Sequence, residues 1–506
     1  MSGSRTNNSV RNILYRLISQ LASIALKFVS RTVFIHILGV EYLGINGLFS
    51  EILQMLSLAD LGFNTAMVFS MYKPLAEHDE YKLAQLVQLY KKIYRVIAIV
   101  ISCIGLALIP FLRYLVNLDK EIPLINVYYV LYLLNTVSSY LVVYKTCILT
   151  ADQKNYLVSK FDTIFNFIST AACCFFLYIT HNFIVYLVVQ VFFTYVRNFY
   201  CSYVASKTYP YISKKVTKLS KEESKGIFNR VKSVFIYKVA TALVGSTDNT
   251  LISVMIGTVT VGLYSNYSMV IANVMLFINI LFLSTTASIG NLIVEANKQK
   301  NFAVYKTMQF VSFVLSAVSI SCIYNLINDF IGVWIGNSFV LETNVVIAIV
   351  MNMYFSVVLM PIWSYREATG MYLQTKYVMV ATAVINLLLS VILGRLIGLA
   401  GILFATSISR LSTYFWYEPK LLFKQYFDEK VSKYYLSIAN NIAVSVIVLL
   451  MVSLAFNGFH PSGWGTFALK VLAVAAASFA LTILLYIRNE ELKKVLKMLA
   501  GFLKRK

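Results

Sequence analysis

The chain is expected to be an all-α polytopic membrane protein: about fourteen transmembrane helices, in two six-helix lobes around a central cavity, plus two extra C-terminal helices. Three observations carry the helical membrane class and the span count. Of the 506 residues, 59% are hydrophobic and the mean hydropathy is +0.72, whereas soluble domains lie nearer half apolar. The apolar residues come in runs of about 20, long enough to cross a hydrocarbon core of about 30 Å; strands of a β-barrel would instead alternate over about 10 residues. Finally, lysine and arginine gather in every second loop, as the positive-inside rule requires.

The expected spans lie near 12–36, 43–72, 89–112, 123–149, 157–180, 183–206, 227–256, 262–292, 303–327, 342–366, 375–394, 400–424, 432–456 and 464–487. Several exceed 25 residues and must tilt or project beyond the bilayer. One set of loops holds Arg5 and Arg11, Lys73 and Lys82, Lys154, six lysines between Lys207 and Lys225, Lys298 and Lys300, and Lys420, Lys424 and Lys430. The opposite set holds only Arg113, Lys120 and Arg395. Both termini are therefore expected in the cytoplasm, with an even span count. Met1–Val10 is polar and shows no cleavage site, so no signal peptide is expected. The outer loops are short, the longest being Asn328–Leu341.

The organisation follows: a six-helix lobe over 1–206, a basic linker over 207–226, a second six-helix lobe over 227–424, helices 13 and 14 over 425–487, and a basic tail over 488–506. In the linker, Val216 and Leu219 suit a short basic helix on the anionic inner leaflet. The tail places Leu492, Val495, Leu496 and Leu499 on one face, which also suits an interfacial helix. Ile37–Phe49 (ILGVEYLGINGLF) aligns without gaps on Met255–Tyr267 (MIGTVTVGLYSNY), with Gly39 on Gly257 and Gly44 on Gly262. Both segments join the first two spans of a six-span block. Parallel blocks related by an axis along the membrane normal place a substrate site between them.

The formal charge is +22, from 44 Lys+Arg against 22 Asp+Glu. Its distribution follows the loops, so nucleic-acid binding is not expected. The six cysteines show no CxxC and the four histidines no ligand spacing, so no metal is expected. No cofactor is expected, and no GxxxxGK[ST] is present.

The informative charges lie inside spans. Arg16, Gln20, Ser23, Lys27 and Arg31 recur at i, i+4, i+7, i+11 and i+15 and share one helix face. A charge at the bilayer centre costs on the order of 2.5–3.5 kcal/mol, so such residues point to function. Measured from the turn between spans 1 and 2, Lys27 lies roughly 13 Å deep and Glu51 about 12 Å, a match that suits a pair. Arg16 and Asp60 match at roughly 25–30 Å. Arg31, about 8 Å down, meets no acid at its depth in this hairpin and is the first candidate for a functional cation. Span 7 carries a second polar face of Arg230, Lys238, Thr241, Gly245 and Asp248. Lys145 and Arg197 fit either an access vestibule for an anion or anchoring of their spans. Arg410 lies mid-membrane, and Pro361 is expected to kink span 10.

The stretch Leu38–Ala76 (LGVEYLGINGLFSEILQMLSLADLGFNTAMVFSMYKPLA) closely resembles the start of Wzx-type polysaccharide flippases of the multidrug/oligosaccharidyl-lipid/polysaccharide exporter superfamily. The resemblance implies a V-shaped pair of lobes in a bacterial plasma membrane. It implies an undecaprenyl-diphosphate-linked oligosaccharide as substrate, turned from inner to outer leaflet. It implies that Lys27, Arg31 and Lys238 face the diphosphate, with Asp248 holding a coupling ion or neutralising a neighbour, and that spans 13 and 14 hold the lipid tail. Membrane lipids and polysaccharide polymerase machinery are the expected partners of a monomeric, non-enzymatic transporter. A multidrug or cation antiporter of the same superfamily would be expected to show twelve spans and an acidic cavity. A membrane-embedded polymerase or ligase would carry a large outer loop.

Overall fold

The computed structural model describes the backbone of residues 2–57, 63–118, 122–152, 154–214, 216–283, 285–294 and 297–503. Side chains are described for fewer, and not for residues 1–19, 58–66, 226–234 or Lys238. The described residues form helices and no strand. A chain in lipid must satisfy its backbone polar groups internally, which leaves the helix as the available solution here. Among the described residues, the fourteen expected segments all overlap helical elements. Nine helices pass a length-and-apolarity test alone, and two bent pairs raise that to eleven, among the described residues.

By contacts the chain divides into two compact units, Met1–Gly262 and Leu263–Lys506. The first contains α1 (Ser2–Leu38), α2 (Val40–Leu56), α3 (Phe63–Ala76), α4 (Glu80–Ala107), α5 (Leu112–Leu115), α6 (Ile125–Tyr140), α7 (Val143–Ala151), α8 (Asn155–Thr180), α9 (Phe183–Thr208), α10 (Lys221–Ser246), α11 (Asp248–Met255) and the start of α12 (Thr258–Leu283). The second contains the rest of α12, α13 (Thr286–Val294), α14 (Lys298–Ile335), α15 (Thr343–Val358), α16 (Met360–Thr369), α17 (Tyr372–Ser412), α18 (Tyr414–Leu422), α19 (Ser432–Phe456), α20 (Trp464–Leu485) and α21 (Glu490–Leu503).

In the first unit α1 packs on α8, α8 on α9, and α9 on α6. The sequence repeat becomes a contact. Gly39 (φ 87°) and Gly257 (φ 147°) hold the positive φ that lets each copy turn into its next helix. Five residues on, each copy meets the other. A Cβ at Gly44 would stand 2.0 Å from the Thr258 carbonyl oxygen, and one at Gly262 would stand 2.6 Å from that of Val40. Val40 and Thr258 open α2 and α12 and are themselves equivalent in the repeat. The two glycines thus make one symmetric backbone-on-backbone crossing. Thr258 is fixed further: its N–H donates to the Asn117 carbonyl at 2.8 Å, and its hydroxyl accepts the Asn117 N–H at 2.9 Å.

The linker departs from expectation. Residues 216–220 form no helix. Tyr81, Gln85 and Gln88 lie at i, i+4 and i+7 on one face of α4 and capture the linker instead. The Tyr81 and Thr217 hydroxyls are 2.6 Å apart, Gln85 Nε2 donates to the Thr217 carbonyl at 3.1 Å, and Gln88 Nε2 donates to the Lys214 carbonyl at 2.9 Å. The carbonyls of Lys214 and Thr217 thus accept from α4 side chains rather than from helical N–H groups. Ser220 then caps α10 by accepting the Glu223 N–H at 3.2 Å, and Lys82 Nζ meets Glu223 Oε1 at 2.5 Å.

In the second unit α14 packs against α15, α19 and α20. The expected loop Asn328–Leu341 is mostly helix, because α14 runs on to Ile335. Its end is held by an ion pair between Asp329 and Lys470 at 2.7 Å and by Phe330 against Trp464 and Phe467. Asn441 of α19 knits the interior: its Oδ1 accepts from Tyr354 at 2.7 Å, and its Nδ2 donates to Tyr486 at 3.0 Å. Pro361 stands in the first turn of α16, next to a 44° bend from α15, as proline at a helix start predicts. Within Tyr372–Ser412 the backbone is non-helical at Ile397 and Gly398, so α17 joins two helices. The tail is helical as expected: α21 buries Leu492 and docks on α14 through Glu491, which accepts from Thr307 at 2.8 Å.

Two measurements test these contacts. Gly44→Ala or Gly262→Ala forces a methyl against backbone and should lower stability by about 1–3 kcal/mol, read as a lower Tm in detergent; Gly245→Ala, with nothing within 4 Å of its added Cβ, is the control that should not. The Lys82 ammonium holds the Glu223 carboxyl below the usual carboxylate range. A depressed carboxyl stabilises above its unfolded pKa of about 4.3, and that stability is lost as pH falls through the folded value. A spin label at Lys218 should gain mobility in that acidic window, and Lys82→Ala should give the same mobility already at pH 7.

Candidate functional site

Arg31 projects from α1, half-buried. Its guanidinium lies within electrostatic reach of the Tyr132 hydroxyl on α6 and the Tyr186 hydroxyl on α9. Tyr132 is oriented by α2, donating to Asn46 Oδ1 at 2.6 Å. Behind these groups stands an aromatic wall. Phe34 meets Tyr186 edge-on at 5.4 Å between ring centroids, and Tyr128 meets Phe183 at 4.9 Å. Edge-to-face rings at these separations pack firmly, so the cation sits against a rigid surface carrying phenolic oxygens. An arginine so placed can offer its fork of N–H donors to a phosphate or carboxylate.

Lys27, one turn earlier on α1, is exposed. Its expected pairing with Glu51 is not what the structure shows. Glu51 is only 8% exposed and accepts the backbone N–H of Asn249 at 3.0 Å. The reason lies in α11, whose first turn carries N–H groups with no intrahelical acceptor and a favourable dipole end for an anion. Depth along one hairpin could not reveal this partner, because it arrives from a helix 198 residues away. Asp248 opens α11 and lies within electrostatic reach of Glu51. The expected Arg16–Asp60 pair and the side chain of Lys238 lie outside the described residues.

Two further cations have resolved partners. Arg197 Nε is ion-paired with Asp162 Oδ1 at 2.8 Å between α9 and α8, and Lys145 Nζ donates to Ser206 Oγ at 3.0 Å between α7 and α9. Each joins neighbouring helices of the first unit. Among the described residues no group of three or more metal-ligating side chains occurs.

The family model for polysaccharide biosynthesis proteins matches residues 9–281, more than half of the chain. The chain belongs to this family, that of the Wzx-type flippases. Among solved structures, the family member is similar to "Lipid II flippase MurJ, inward closed conformation", with 16% identity over 94% of this chain and 99% of that chain and a TM-score of 0.67. It is also similar to an inward-facing multidrug resistance MATE transporter, with 13% identity over 79% of this chain and 96% of that chain at a TM-score of 0.57. A point mutant of the Vibrio cholerae MATE transporter VcmN matches at 12% identity over 84% of this chain and all of that chain, with a TM-score of 0.52. At such identities the likeness establishes the helical transporter fold. Among curated protein sequences, none matches the chain.

For this family member, the Arg197–Asp162 contact gives a direct test. Asp162→Ala leaves an arginine inside a span without its carboxylate and should lower stability by about 1–3 kcal/mol. The double variant Asp162→Ala/Arg197→Ala should recover much of that loss in Tm. Lys27→Ala, at an exposed position, should leave Tm unchanged.

Proposed function

We propose that this polysaccharide biosynthesis family member is a flippase. It carries an undecaprenyl-diphosphate-linked oligosaccharide from the inner to the outer leaflet of a bacterial plasma membrane by alternating access, with both termini cytoplasmic. The observation that carries the reading is the family match over residues 9–281, which includes Arg31. The site supports it chemically. A lipid-linked diphosphate loses its hydration as it crosses about 30 Å of hydrocarbon, and guanidinium and ammonium groups replace that hydration. Arg31 is the central contact in this reading. Lys27 and Lys238 extend it, Lys145 and Arg197 stand toward the inner side, and Asp248 is the candidate for ion coupling. The lobes 1–206 and 227–424 are the moving bodies.

The membrane potential favours the direction. Moving one charge is worth about 2.3 kcal/mol per 100 mV, so a doubly negative head gains roughly 4–5 kcal/mol if it crosses the whole field. In a strain lacking the gene, lipid-linked oligosaccharide should accumulate in the inner leaflet. Arg31→Ala, inserted at normal level, should reproduce that accumulation; normal surface polymer with this variant would remove Arg31 from the site. In proteoliposomes, collapsing the potential with an ionophore should slow flipping. An unchanged rate with pH and Na⁺ gradients also absent would exclude potential as the driving force.

A further inference from the structure

The second unit holds an arginine that the reading above leaves unused. Arg410 lies in the last turn of α17, near the middle of the span expected over 400–424. Three polar contacts climb the seam between α15 and α17. Asn352 Nδ2 donates to the Leu403 carbonyl at 2.8 Å, Ser407 donates to Asn352 Oδ1 at 2.5 Å, and Arg410 Nη1 donates to Ser356 Oγ at 2.8 Å. The ladder ends where both helices are interrupted. α15 gives way to α16 across Leu359 with a bend of 44°, and α17 gives way to α18 at Thr413, whose φ and ψ are −131° and −103°.

Beyond this double break the seam treats its next arginine differently. Arg366 of α16 meets both carboxylate oxygens of Glu418 on α18, at 2.9 and 3.1 Å, and both residues are buried. Among the described residues Arg410 donates to the neutral Ser356 hydroxyl where Arg366 has a carboxylate; a buried Nε with no hydrogen-bond partner is common to both arginines. Glu418 lies on the far side of the break at Thr413 and is already engaged by Arg366. A hydroxyl does not offset the desolvation of a guanidinium. The C-terminal carbonyls of α17 supply partial negative charge but leave the fork of N–H donors incompletely used. Broken helices near mid-membrane are where transporters place groups that touch their substrate.

We propose that Arg410, positioned by Ser356, is an oxyanion contact of the second unit: it binds a phosphate or carboxylate group of the transported head. The assignment rests on the flippase reading. A guanidinium prefers such groups because two parallel N–H bonds match two oxygens. The oxyanion has two sources, the diphosphate common to every lipid-linked substrate and the carboxylate of an acidic sugar.

The test uses the full chain in proteoliposomes, flipping lipid-linked oligosaccharides that carry neutral sugars or an acidic one, with Tm as a check on folding. Arg410→Gln should raise the half-saturating substrate concentration about tenfold with Tm unchanged, and Arg410→Lys should recover part of that loss. An effect on both substrates identifies the diphosphate, and an effect confined to the acidic substrate identifies its carboxylate. Wild-type kinetics for Arg410→Gln on both substrates overturns the proposal. A loss of rate that tracks a lowered Tm, with half-saturation unchanged, overturns it too. If Arg410→Gln does not insert, Arg410→Lys decides: it keeps the charge but not the fork, so raised half-saturation supports the contact and wild-type half-saturation overturns it. A wild-type protein that moves neither substrate overturns the flippase reading, and this proposal with it.

Discussion

Backbone can lie on backbone only where side chains are absent, and the first unit is built around one such place. At Gly44 and Gly262 the opening turns of α2 and α12 cross closely enough to exclude a methyl group on either. Much else takes its position from this crossing. Gly39 and Gly257 aim the two helices into it. Thr258, on the rim, ties it to the segment after α5 through Asn117. Further along α2, Asn46 orients Tyr132 beside Arg31, and Glu51 closes the first turn of α11. Moving α2 away from α12 would shift the groups around the candidate cation together. The equivalence of the two contacts, each repeat copy meeting the first helical residue of the other, gives the internal repeat a physical reason: one short sequence solves both halves of one crossing.

The chain handles charge inside its spans in three ways. Arg366, Arg197 and Lys470 are matched to carboxylates on other helices. Breaking such a buried pair is more damaging than never having made it, because one charge is left stranded. Glu51 accepts the backbone N–H of Asn249 at a helix start. Arg31 and Arg410 stand beside hydroxyl groups, Tyr132 and Tyr186 for one and Ser356 for the other. A hydroxyl can solvate a cation without changing its charge.

What was legible in the sequence follows the range of the forces involved. Helical spans announce themselves by composition, because lipid imposes the same demand on every turn, and among the described residues all fourteen segments overlap helix. The repeat was visible because glycine has few substitutes at a backbone crossing, although that its copies touch each other was not. Pro361 marked its bend for the same local reason. Partners supplied by distant helices were hidden. The Lys27–Glu51 pairing failed because depth along one hairpin is silent about a third helix. The Arg197–Asp162 pair joins consecutive helices, and the same depth argument applied to their hairpin would have brought the two residues near one level. The linker misled because Val216 and Leu219 suit an amphipathic helix, while the glutamines that hold it extended lie on α4, far back along the chain. Asn328–Leu341 suits an outer loop by sequence, yet Lys470 from α20 pairs with Asp329 inside a continuing helix.

The strap across α4 also fixes what the next helix can do. Its slack ends at Ser220, where the cap begins, and Glu223 is moored to Lys82 within the first turn of α10. α10 therefore starts from an anchored point rather than from a loose tether. Its other end meets α11 at Thr247, beside Gly245, which has open space around it. A shift of α4 would therefore reach α10 at its first turn, through the strap, rather than be lost in a loose connection.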